Sequence, residues 1–150
     1  MVYIIKPTFH KVTVTMGYDL AKRAAAIRAV ADNFPAEPTY IGIGSGSTME
    51  HVVAAIAQRP HSRALFVPTG HQSRGLLMQA RLPVLEIASL PRNARIQVAF
   101  DGADEVDGAL NCIKGGGACM FLEKLVALQA TRFVVVAGPR APARPPPAPC

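Results

Sequence analysis

The stretch IQVAFDGADEVDGALNCIKGGGACMFLEK, residues 96–124, decides how this chain is read. It opens on an apolar run, Ile96 to Phe100. The run breaks abruptly into Asp101, Gly102, Ala103, Asp104 and Glu105, with Asp107 just beyond. A short apolar return leads to Lys114, then Gly115, Gly116 and Gly117, then a helix-like segment that carries Glu123. Four carboxylates within seven residues are poor material for a core, because an ionised carboxylate is costly to bury unless it is paired or hydrogen-bonded. A loop at the C-terminal end of a strand resolves the conflict, and open α/β sheets hold their ligands there. The stretch therefore reads as a strand feeding a polar site. It supplies carboxylates, one amine and three glycines that let backbone N–H groups approach a ligand.

Upstream, Pro35 and Pro38 interrupt the chain before a short strand, Thr39 to Ile43. Gly44, Ser45, Gly46, Ser47 and Thr48 follow, and then a helix from about Met49 to Gln58. Strand, Gly/Ser-rich turn and helix together suit a phosphate: N–H groups at the helix start, hydroxyls beside them, and glycines that remove steric cover. The turn is neither a Walker loop nor GxGxxG, and a plain βα turn is the alternative. His51, on the following helix, reads as a surface or capping residue.

The first element is a helix capped by Asp19 and running through LAKRAAAIRAVADNF, with Leu20, Ala24, Ile27 and Val30 or Ala31 inward. Lys22 and Arg23 lie near its start, where the macrodipole does not favour cations. They are either solvated charges or a reach towards a nearby anion. Ala64 to Val67 reads as a second strand, with a Pro68-Thr69-Gly70 turn and a helix from His71 to Ala80. Thr69, Gln72 and Ser73 are possible donors to a ligand, but ordinary capping explains them equally well. Pro83 to Glu86 reads as a short edge strand, because proline suits an edge. Arg132 to Ala137 is a last apolar strand. Alternation of this kind argues for a three-layer, Rossmann-like α/β domain with a mainly parallel sheet.

Composition narrows the function. Half of the 150 residues are hydrophobic, enough for a real core. The formal charge of +6 suggests nucleic acid, but its distribution does not. Lys6, Lys11, Arg140 and Arg144 sit in end segments that hold no acid, and without them 12 basic side chains face 10 acidic ones. There is no basic helix with interleaved aromatics, so nucleic acid is not an expected partner. No apolar run reaches membrane-spanning length, so a membrane is not expected either. Cys112, Cys119 and Cys150 are odd in number and lack CxxC spacing, which points to reduced thiols rather than a disulfide or a metal site. Residues 1–17 read as an extension and residues 139–150, PRAPARPPPAPC, as a polyproline-like or disordered tail, leaving residues 18–138 as the domain.

Taken together, GIGSGST, FDGADEVDGALNCIKGGGACMFLEK and RFVVVA resemble the ribose-5-phosphate isomerase A family over about Asp19 to Ala137. The resemblance implies an aldose–ketose isomerase that interconverts ribose 5-phosphate and ribulose 5-phosphate. It implies a cytoplasmic protein that needs no metal or organic cofactor, takes a small sugar phosphate and forms homo-oligomers. It implies Glu123 as general base, with Asp101, Asp104 and Lys114 around the sugar carbonyl and hydroxyls. Ser45, Gly46, Ser47 and Thr48, the Asp101–Asp104 turn with Gly102 and Ala103, and Lys114 to Gly117 become substrate-binding loops. Lys22 falls near the phosphate end.

The family's chains run well past this length. The resemblance therefore implies an incomplete domain, lacking the C-terminal α/β segment, with Gly138 and Ala141 where the family usually has an aspartate and a substrate-binding lysine. The contrasting expectation is an inactive fragment, or a sugar-phosphate-binding or sensor module on the same fold.

Overall fold

The computed structural model describes residues 18–60, 63–106, 112–114 and 119–137. The expected N-terminal extension, the Gly115–Gly117 triplet and the Pro-rich tail lie outside them. In chain order the elements are α1 (Tyr18–Asn33), β1 (Tyr40–Ile43), α2 (Ser47–Ala57), β2 (Leu65–Pro68), α3 (His71–Gln79), β3 (Ile96–Asp101), β4 (Glu105–Val106), β5 (Cys112–Ile113), α4 (Met120–Gln129) and β6 (Ala130–Val135). Strands β2, β1, β3 and β6 form one parallel sheet in that order. The expected edge strand at Pro83–Glu86 is reduced to a single parallel bridge, Val84 to Phe66. Glu105–Val106 and Cys112–Ile113 pair antiparallel as a separate ladder, an element too short to show any periodicity in the sequence.

The strands are apolar on both faces because both faces are covered. On one face Ile41, Ile43, Phe66, Val98, Phe100 and Val134 pack with Val30 of α1, Met49, Val52 and Ile56 of α2, and Leu77 of α3. On the other, Val67, Ala99 and Phe133 pack with Val126 of α4. Close approach on this second face depends on Gly42. A Cβ there would lie 2.6 Å from Val126 Cγ1 and 2.7 Å from Ala99 Cβ, too close for either neighbour.

Helix α1 corrects the sequence reading. Of its expected inward residues only Val30 is buried, while Leu20 and Ile27 are about half exposed. Ala26 is fully buried, and Ala25 and Ala29 pack against the core beside it. Small side chains let α1 lie close along α2, and that rotation sends the larger residues outward. It also sends Lys22, on the same stripe as Ala26 and Val30, towards the start of α2. Asp19 lies in the first turn of α1 rather than capping it, and its carboxylate meets His51 Nε2 at 3.2 Å.

Strand order locates the crevice. The chain leaves β1 for β2 on one side, then crosses back to place β3 on the other, so the order reverses between β1 and β3. Loops that leave such a switch point diverge and open a cleft at the C-terminal strand ends. Here those loops begin at Gly44 and Gly102. Among the described residues, no helix is long and apolar enough to cross a membrane, and no three His, Cys, Asp or Glu side chains are grouped to hold a metal ion.

Candidate active site

Strand β3 ends on Asp101, which is 2% exposed, and α4 brings Glu123 to 6% exposed on its first turn. Lys114, just after β5, reaches between them. Its Nζ lies 2.8 Å from Asp101 Oδ2 and 3.4 Å from Glu123 Oε2, and it donates to the Gly102 carbonyl at 2.5 Å. Asp101 Oδ1 accepts from the Gly102 N–H at 2.7 Å, which turns the chain sharply after the strand. The two oxygens that face the ammonium are buried and have it as their partner among the described residues.

Gly44 makes room for this cluster. Its backbone N–H donates to the Phe100 carbonyl at 2.8 Å, and a Cβ on it would overlap the Asp101 carboxylate. Asp104 stands at the start of the β4–β5 ladder, where its N–H donates to the Ile113 carbonyl at 2.8 Å. Ala103 is half-buried in the same turn.

The Ser45–Thr48 turn lies alongside. Gly46 has φ +102°, a conformation that L side chains rarely adopt, and so it needs to be glycine. No side chain caps α2, which leaves N–H groups at its start available to an anion. Lys22 Nζ donates to Ser47 Oγ at 2.8 Å and sets a cation beside those groups. Ser45 Oγ meets Thr69 Oγ1 at 3.2 Å, and the Gly46 N–H donates to Gln72 Oε1 at 2.9 Å. Thr69 and Gln72 thus brace the turn from behind. The sequence offered them as donors to a ligand or as caps, with nothing to suggest bracing. Arg74 pairs with Glu86 at 2.7 Å.

Burial lifts the Asp101 carboxyl from 3.8 to about 6. The Lys114 ammonium pulls it back down, and the Glu123 carboxylate adds to the rise. The folded protein therefore holds this proton more tightly than the unfolded chain does. Stability from the protonated group is fully present below about pH 4 and is lost as pH rises through about 6. Urea unfolding of the wild type and Asp101→Asn at about pH 4 and about pH 7 is expected to show the wild type losing more stability across that interval. Equal losses would remove Asp101 as the titrating group.

The structure brings Asp101, Lys114 and Glu123 into contact and sets the Ser45 turn beside them, with Lys22 bonded to Ser47 on that turn. A Cβ on Gly102 would come within 3.8 Å of the Ser45 carbonyl, so the two strand-end turns touch.

The comparisons with known proteins fit this geometry. The family model for ribose 5-phosphate isomerase A (phosphoriboisomerase A) matches residues 65–143. A ribose-5-phosphate isomerase of Mycosarcoma maydis is 52% identical over 124 residues, which is 81% of this chain and 42% of that protein. One of Schizosaccharomyces pombe is 48% identical over 81% of this chain and 44% of its own length. A D-ribose-5-phosphate isomerase solved in complex with phospho-erythronic acid superposes with a TM-score of 0.72 at 33% identity, over 80% of this chain and 52% of that one. The ribose 5-phosphate isomerase of Plasmodium falciparum superposes with a TM-score of 0.70 at 29% identity, over 78% and 50%. This chain spans about half the length of the relatives it matches. On the matched motifs, the fold and these likenesses, the chain belongs to the ribose 5-phosphate isomerase A family.

Proposed function

We propose that this chain carries the aldose–ketose isomerase site for ribose 5-phosphate and ribulose 5-phosphate, with Glu123 as the base. One observation carries the reading: a single ammonium, Lys114, stands between two buried carboxylates beside an uncapped helix start. A site that only binds a sugar phosphate has no use for a second buried carboxylate on the cation. Isomerisation does. Glu123 takes the proton from C2 of the open-chain aldose, and the C–H electron pair becomes the C1–C2 double bond. The carbonyl oxygen takes on negative charge, which Lys114 stabilises. That oxygen then gains a proton, the C2 hydroxyl loses one, and Glu123 returns its proton to C1. Asp101, raised to about 6, holds or releases a hydroxyl proton near neutral pH. Asp104 and Ala103 belong to the same substrate-facing turn, and Gly115 to Gly117, outside the described residues, are further candidates to bind the sugar.

The phosphate falls to Ser47 and Thr48, with Lys22 as its counter-ion and Gly46 leaving the approach open. A phosphorylated sugar acid in a related structure supports that class of ligand. Lys22→Ala is expected to raise KM about 10-fold with little change in kcat, matching the ~1.5 kcal/mol lower bound for a hydrogen bond to a charged group. Steady-state kinetics separate the two. Outward-facing Ile113, Met120, Phe121 and Leu128 support self-association through the α4 side of the domain.

The test is proton NMR of ribose 5-phosphate incubated with the full chain in deuterated water. Ribulose 5-phosphate is expected to appear, with deuterium at C1 wherever the Glu123 proton exchanges with solvent before it is returned. Binding without conversion would overturn the catalytic reading and leave a sugar-phosphate-binding module.

A further inference from the structure

Gly70 ends the turn after β2, and its backbone is extended at φ 175° and ψ −175°, a conformation open to any residue. It is not glycine for the sake of its backbone. What a side chain would meet is the Cys119 thiol: a Cβ on Gly70 would lie 2.8 Å from Cys119 Sγ, with Cys119 Cβ at 3.7 Å and Ser45 Oγ at 3.9 Å. Three elements therefore meet at one point, namely the Ser45 turn, the Gly70 turn and the entry to α4. The Gly70 turn is itself tightly held. Fully buried Ser73 accepts from the Thr69 and Gly70 N–H groups at 3.1 and 3.2 Å and donates to the Gly70 carbonyl at 3.1 Å. Thr69 in turn meets Ser45.

Cys119 stands one helical turn before Glu123, and its carbonyl accepts the Glu123 N–H at 3.1 Å. Its side chain neither caps α4 nor forms a disulfide. Its sulfur lies against the Gly70 backbone. Val126 packs against Gly42 about two turns after Cys119, so the helix that carries Glu123 meets a bare glycine backbone at two points.

We propose that Gly70 and Cys119 form a positioning pair: the thiol seated on the bare Gly70 backbone sets how close the first turn of α4 comes to the Ser45 turn. It thereby sets where the Glu123 carboxylate stands relative to Lys114 and the sugar. The pair touches no reacting atom. It joins the anion-binding turn to the base, and it rests on the reading of Glu123 given above.

The geometry prescribes a compensation experiment on the full chain. Gly70→Ala alone puts a methyl 2.8 Å from the sulfur, so the thiol must leave its seat or the first turn of α4 must shift. Cys119→Ala alone leaves a gap of one sulfur atom. Gly70→Ala with Cys119→Ala restores contact, since the new methyl fills the space the sulfur left and its nearest neighbour becomes the 119 Cβ at 3.7 Å. With ribose 5-phosphate, kcat is expected to fall roughly 10- to 100-fold in Gly70→Ala, as an ångström of misplacement costs about 10²-fold. It should fall less in Cys119→Ala and recover at least about half of the logarithmic loss in the double variant, a coupling that only contacting residues show. KM is expected to stay within about 2-fold, because the groups displaced belong to the transition state.

The carboxyl ¹³C resonance of Glu123, assigned with Glu123→Gln, reads the same positioning without turnover. It should move in Gly70→Ala and return in the double variant. Gly70→Ala with unchanged kcat and resonance, or a double variant no better than Gly70→Ala, would overturn the pair. An inactive wild type whose Glu123 resonance still follows the cycle would overturn the isomerase reading and keep the pair.

Discussion

Replacing Glu123 by Gln is expected to lower kcat for ribose 5-phosphate isomerisation by roughly 10²- to 10⁴-fold, the range a positioned general base supplies. Glutamine keeps the size and one acceptor oxygen but cannot take a proton from carbon. Glu123 lies on the first turn of α4 with its Oε2 3.4 Å from Lys114 Nζ, so the substitution also removes one of the two charges held by that ammonium. Asp101 remains at 2.8 Å, and the lysine keeps a buried counter-ion. Folding should therefore survive, with an unfolding midpoint near that of the wild type. KM should change little, because the lost interaction acts while the proton is in flight. Deuterium uptake should fall in step with turnover. A Glu123→Gln protein that still exchanges the carbon-bound proton would move the base elsewhere. Asp101 is the next candidate, since it shares the same cation.

Much of this was legible in the sequence, for reasons specific to its residues. Ile96 to Phe100 is too apolar for anything but a buried strand, and the acids that follow are too polar for anything but its open end. Asp101 nevertheless ends β3 and is buried, because Lys114 and the Gly102 N–H satisfy it there, partners that the sequence pattern does not show. The Gly44–Thr48 turn announced itself through glycines and hydroxyls between a strand and a helix. Periodicity failed on α1, because alanine is indifferent to burial in a sequence pattern, yet it is the residue that allows close helix packing. Thr69, Gln72 and Gly70 were hidden for another reason. Their roles lie in contacts with Ser45, Gly46 and Cys119, which are distant in the chain, and Thr69 and Gln72 had a sufficient local explanation as caps. A glycine chosen for space cannot be told by sequence from one chosen for its backbone. The Lys114 bridge lay in between, since its residue types were visible and its geometry was not.

Replacing Lys114 by Met is expected to cost both activity and stability, and the stability loss carries a pH signature. In the wild type two carboxylates, 2% and 6% exposed, share one ammonium. Removing one partner of a buried ion pair typically costs about 3–5 kcal/mol, because the charges left behind are uncompensated. Here those charges have an escape. Burial already lifts Asp101 to about 6 against the pull of Lys114, and losing that pull raises it further. A carboxyl whose folded value is raised is stable in its protonated form at low pH, and that stability is lost as pH climbs through the folded value. The destabilisation by Lys114→Met should therefore be near its full size at about pH 8 and shrink towards about pH 5, where Asp101 takes up a proton. Adding Asp101→Asn to Lys114→Met should recover part of the loss at the higher pH, because the amide carries no charge to strand. Activity should not recover, because the developing oxyanion still has no cation. Urea unfolding of the two variants and the wild type at both pH values decides it. A loss at high pH that Asp101→Asn does not relieve would mean that the ammonium is held for its packing and for its bond to the Gly102 carbonyl, not for the carboxylates it bridges.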